Sequence, residues 1–136
     1  MTLPATAPSV DLHVLAGDYV IARLAPAAQV PAGLMAPAPM DGFVSVTRTP
    51  QELSIVCPAA LAPAGAEIDG IWKALYASGP IPFGLTGVVT SLVAPLSAEG
   101  CPVFVVSTFD GDVLMVPSSQ YGQARELLRA AGHTLR

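Results

Sequence analysis

The sequence predicts an α+β fold in which the second half is one β-α-β-β-α-β unit and the first half is nearly all strand. Three observations predict it. Apolar residues at Leu85, Val88, Val89, Leu92, Val93 and Leu96 keep helical spacing over about three turns. Two apolar runs, Cys101 to Thr108 and Asp112 to Val116, flank Asp110-Gly111, a residue pair suited to a tight hairpin turn and its positive φ angles. Before residue 69 the chain alternates in short runs divided by proline- and glycine-rich stretches.

Taken in order, Val10 to Leu15 and Tyr19 to Leu24 alternate and are joined by Ala16-Gly17-Asp18, which predicts a β-hairpin. Residues 25–42 hold prolines at 26, 31, 37 and 39 and read as a loop. Phe43 to Arg48 and Leu53 to Cys57 predict a second strand pair around Thr49-Pro50-Gln51-Glu52, with Arg48 and Glu52 placed to meet across the turn. Residues 58–69 carry two more prolines and mark the boundary between a unit at 1–69 and a unit at 70–136.

Ile71 to Ala77 alternates and ends at Ser78-Gly79-Pro80, giving the first strand of the second unit. The helix starts near Thr86, and Pro95 should bend or shorten its end. After the hairpin, Ser118 and Ser119 offer a capping hydroxyl to a helix whose Tyr121, Ala124, Leu128 and Ala131 share a face. Gly132 ends that helix, and residues 133–136 add an edge strand, with His133 read as a surface or edge residue. The resulting order is the ferredoxin-like arrangement, one four-stranded antiparallel sheet with both helices on one face.

Composition narrows the function classes. Of 136 residues 52% are hydrophobic and 12% charged, which leaves apolar surface beyond one core and favours an oligomer. The net charge is −4 and the six Lys and Arg are scattered, so nucleic acid is a poor partner. No run reaches the roughly 18 apolar residues of a membrane span and no secretory pattern opens the chain, so it reads as cytoplasmic without a membrane partner. Cys57 and Cys101 lie in apolar runs and read as buried, reduced thiols. No nucleophile elbow, catalytic His spacing, metal-ligand spacing or phosphate loop is present, so the reading is non-catalytic, with no metal or cofactor.

The stretches Ser45 to Cys57 (SVTRTPQELSIVC) and Phe83 to Val116, with the closing helix that ends in AAGH, carry a family resemblance. The chain resembles the bacterial tandem ACT-domain proteins, a group also similar to the CASTOR family of arginine sensors in animals. The resemblance runs over essentially the whole chain, although the Pro/Ala-rich segments match only in character. It implies two tandem ACT-like units, the N-terminal one degenerate and strand-rich, and an amino acid bound between them near the loop after a first strand. It also implies that Asp112, after the Ser107-Thr108-Phe109 hairpin segment, contacts the basic end of the ligand.

Local chemistry suits that implication. Gly84, Leu85, Thr86 and Gly87 open the helix, where free amides and the helix dipole favour a carboxylate. Ser107, Thr108 and Asp112 offer acceptors for an ammonium or guanidinium group, and Ser45, Val46, Thr47 and Arg48 are expected at the far wall of the pocket. The same glycines also suit a plain strand-to-helix joint, and Asp110-Gly111-Asp112 a plain turn. The expected function is a non-catalytic amino-acid-binding regulator, a homodimer acting on another protein. The alternative is a ligand-free interaction module of the same fold.

Overall fold

The computed structural model describes residues 8–36, 42–77 and 87–136. The described residues divide into two compact units, one within residues 15–73 and one that joins residues 8–14 to 74–77 and 87–136. The chain therefore passes between units twice. The second crossing falls after Lys73, and residues 8–14 group with the C-terminal half.

In residues 15–73 the strands are β2 (Tyr19–Leu24), β3 (Ser45–Arg48), β4 (Leu53–Pro58) and the first part of β5 (Glu67–Ala77). They pair antiparallel in the order β3-β4-β2-β5. Thr49 makes the β3–β4 turn: its hydroxyl accepts from the Gln51 and Glu52 amides at 3.1 Å each, and its own N–H donates to the Glu52 carbonyl. Val20, Ala22, Leu34, Leu53, Ile55 and Cys57 form the core of this unit. The strand starting at Glu67 takes up the end of the stretch expected to be linker. Only a 3₁₀ turn at Ala59–Leu61 interrupts the strands, and no α-helix occurs in this unit among the described residues.

The other unit contains β1 (Asp11–Val14), the end of β5, α1 (Val88–Ser97), β6 (Phe104–Ser107), β7 (Asp112–Pro117), α2 (Tyr121–Ala130) and β8 (Thr134–Leu135). From β5 onward the order is β-α-β-β-α-β, as the periodicity predicts. Leu75, Ala77, Val88, Leu92, Leu96, Leu114, Val116, Ala124 and Leu128 meet in one core with Val10 and Leu12. Burying a side chain of this size is worth about 1.5–3 kcal/mol, so Leu12, fully buried, belongs to this core as much as any helix residue. β7 is buried on both faces and reads as an unbroken apolar run for that reason.

Four local expectations need correction. β1 and β2 are not a hairpin, because each takes β5 as partner: Leu12 faces Ala77 and Tyr19 faces Trp72, both antiparallel. Gly17 does take a positive φ, but Lys73 holds this connection, through Asp18 at 3.1 Å and the Gly17 carbonyl at 3.3 Å. The sheet is not wholly antiparallel, since β8 pairs parallel with β1, which lies between β5 and β8. Nor does α2 take a serine cap: Ser118–Gln120 is a 3₁₀ turn, and Gln120 precedes the helix without a side-chain cap. Finally, Gly111 is absent from the positive-φ glycines, and the loop is closed instead by Thr108, whose N–H donates to the Gly111 carbonyl at 2.8 Å.

Candidate functional site

The C-terminal end of β5 and the β6–β7 turn are brought together by the fold. Ser107 and Asp112 face each other in the last pair of the β6–β7 ladder. A Cβ added at Gly111 would lie 2.9 Å from the Ala77 carbonyl oxygen and 3.1 Å from the Tyr76 hydroxyl, so glycine lets the turn close onto the strand end. Tyr76 therefore belongs to this locality. Sequence reasoning placed it only on a strand face; its position next to the last residue of the strand ahead of the glycine loop was the available signal.

Asp112 is the chemically telling residue. It is 8% exposed, and its Oδ1 accepts from the Ser107 hydroxyl at 2.5 Å. That is the one side-chain hydrogen bond its carboxylate makes among the described residues, and Oδ2 is not among the buried atoms left without a partner, so it stays open as an acceptor. The Thr108 hydroxyl is spent within the turn, accepting from the Gly111 N–H and donating to its carbonyl. Phe109, 78% exposed, stands at the turn's tip.

Gly87 sits at the N-terminus of α1 with φ +83°, a conformation that glycine adopts without strain, and no side chain caps the helix there. Gly84, Leu85 and Thr86 lie outside the described residues. Ser45 to Arg48 form β3, which among the described residues pairs with β4 alone. Val46 packs on the core of its unit. Arg48 is committed elsewhere: its guanidinium donates to the Pro26 carbonyl and, at 2.8 Å, to that of Ala28. It makes no ion pair with Glu52, whose N–H serves the Thr49 turn.

Among the described residues no group of three or more His, Cys, Asp or Glu side chains is placed to hold a metal. No helix there is long and apolar enough to cross a membrane. Cys57 and Cys101 are free and buried, and burial pushes both thiols above their ordinary range.

Comparisons with known proteins place this geometry. The ACT domain profile matches residues 67–130, and a second profile, described as an N-terminal domain, matches residues 17–64. The chain is 43% identical to the protein Atu0741 from Agobacterium tumefaciens, with a TM-score of 0.86 over 96% of this chain and 94% of that one. VC0802 of Vibrio cholerae, described as a possible transport protein of unknown function, aligns with a TM-score of 0.69 at 20% identity over 91% of each chain. Aspartate kinase of Clostridium acetobutylicum, described as an allosteric enzyme, aligns with a TM-score of 0.61 at 11% identity over 93% of this chain but 35% of that one. Aspartokinase α and β subunits give a TM-score of 0.57 at 15% identity over 93% of this chain and 98% of that one. At such identities these three show the fold alone. A search of curated proteins finds no match. The chain belongs to the same family as Atu0741, and its residues 67–130, which match the ACT domain profile, are ACT-like.

Proposed function

We propose that this protein is a non-catalytic regulator that binds a free amino acid at its ACT domain. The observation that carries the reading is Asp112, a nearly buried carboxylate with acceptor capacity left over, at the hairpin that closes on the end of β5. In this reading Asp112 and Ser107 take the cationic group, and the uncapped amides from Gly87 onward, with Gly84 to Thr86, take the carboxylate. Ser45 to Thr47 contribute backbone groups, while the Arg48 side chain stays with Pro26 and Ala28.

Other finer points belong to the same proposal. The strand-rich first half is a reduced ACT-like copy, which the aspartokinase likeness supports by spanning 93% of the chain. The protein is a homodimer in the cytoplasm, where two free thiols suit a reducing compartment. The ligand class stays open: the resemblance to the arginine sensors is an analogy, and neutral amino acids stand equally with basic ones. Regulation then requires a second state that the ligand binds unequally, and a protein target to receive it.

A thermal-shift screen of the common amino acids, followed by calorimetry on Asp112→Asn, tests the reading. One amino acid should stabilise the native chain, and the substitution, which keeps the shape and removes the charge, should weaken it about tenfold or more. No stabilisation by any amino acid at millimolar concentration would count against it. A second reading, a ligand-free interaction module, is favoured by Ile68 and Ile71, which stand about half exposed on β5.

A further inference from the structure

His133 is buried, and the C-terminus of α2 puts it where it is. Gly132 leaves the helix at φ +97°, and the His133 N–H turns back to the Leu128 carbonyl at 3.0 Å. The ring then reaches two other segments of the same unit. Nδ1 lies 3.0 Å from the Val10 nitrogen, and Nε2 lies 2.8 Å from the Ser91 carbonyl oxygen. A backbone N–H can only donate and a carbonyl can only accept, so the ring is the neutral tautomer with its proton on Nε2.

The Ser91 carbonyl needs this donor because of the sequence of α1. In an α-helix it would accept from the amide four residues on, and that residue is Pro95, which has no N–H. His133 Nε2–H supplies the missing partner. The consequence is on the other side of the ring: with the proton on Nε2, Nδ1 is an acceptor, and it takes the Val10 N–H just ahead of β1. The next contacts of that segment are dense. Ser9 Oγ donates to the Gly132 carbonyl at 2.7 Å, Thr134 N–H to the Val10 carbonyl at 3.0 Å, and Thr134 Oγ1 to Asp11 Oδ1 at 2.7 Å. Pro8 also lies against the start of α1, where a Cβ at Gly87 would be 3.8 Å from its ring.

We propose that His133 is a latch that couples the beginning of β1 to the first turns of α1, set by the donor that Pro95 lacks. Residues 8–14 and the start of α1 gain and lose order together through this ring. If the start of α1 holds the ligand carboxylate, an extension that rests on the proposed function, binding there also tightens residues 8–14.

Amide hydrogen exchange and denaturation of the full chain test the latch without any ligand. His133→Gln keeps a donor near Ser91 and removes the acceptor for Val10; exchange at Val10 should rise about tenfold with α1 unaffected. His133→Asn keeps an acceptor near Val10 and leaves Ser91 unmet; its unfolding constant should rise about tenfold. In a Pro95→Ala background the Ser91 carbonyl regains its own donor, so the same His133→Asn substitution should cost at least roughly fivefold less. Unchanged Val10 exchange in His133→Gln, or equal cost of His133→Asn in both backgrounds, overturns the proposal. The unsubstituted protein gives a check that needs no variant: two-bond proton–nitrogen spectra should show His133 protonated at Nε2, and protonation at Nδ1 overturns the latch outright.

Discussion

Gly111 was expected for its backbone freedom and is needed instead for its missing side chain. A Cβ there would meet the Ala77 carbonyl oxygen at 2.9 Å, and backbone cannot yield as a flexible side-chain end can. Gly111→Ala should therefore cost about 1–3 kcal/mol, read as a lower denaturant midpoint at unchanged slope. The two cysteines give a pH-dependent prediction. Each folded thiol is pushed above its ordinary value, so the folded chain holds protons that the unfolded chain releases. That contribution to stability is complete below about pH 8.5, the ordinary thiol value, and falls as pH rises above it. Thiol labelling at neutral pH should be slow in the native protein and immediate in denaturant, and fast native labelling would contradict the buried placement. Neither Gly111 nor His133 was legible at this scale, because in both cases the deciding neighbour, Ala77 or Val10, is far away in sequence.

At the scale of elements, the helices and the β6–β7 hairpin were legible because their signals are local. The Leu85-to-Leu96 spacing, the Asp110-Gly111 turn and the closing Gly132 all act within a few residues, and α1, β6, β7 and α2 stand where those signals put them. The placement of β1 was not legible. Its partner β8 lies 123 residues away, and its other partner β5 takes β2 as well, so an alternating run followed by a glycine gave the pattern of a hairpin without the pairing of one. Boundaries suffered likewise: Cys101, Pro102 and Val103 are apolar but lie ahead of β6, which starts at Phe104. The topology makes β1 a core element of the ACT unit, and Leu12→Ala should cost about 2–5 kcal/mol. Removing the exposed Arg136 from its ion pair with Asp11, 2.7 Å apart, should cost under about 1 kcal/mol. Comparable losses from the two substitutions would mean that β1 is held by surface charge and not by its buried residue.

For the whole molecule, the family is that of Atu0741 and the proposed ligand is the open chemistry. The closeness of Ser107 and Asp112 was legible, since a short hairpin turn sets them opposite each other and they do pair; that they hold a ligand is the proposal. The partners of Arg48 were not legible, because its guanidinium meets two carbonyls in a proline-rich loop that carries no periodic signal. Assembly follows the same reading: light scattering should give about twice the 13.9 kDa chain mass, and the chain mass at every concentration would remove the dimer. The proposal with most at stake is an amino acid held at the ACT-like unit through Asp112. Its most direct test is titration calorimetry of the native protein and Asp112→Asn with the amino acid that raises the melting point most in a full screen. At 100 times its Kd that ligand adds about 2.7 kcal/mol to stability. Binding to the native chain should be saturable, and Asp112→Asn should weaken it about tenfold or more. Equal binding by both proteins, or no binding by either, contradicts the proposal.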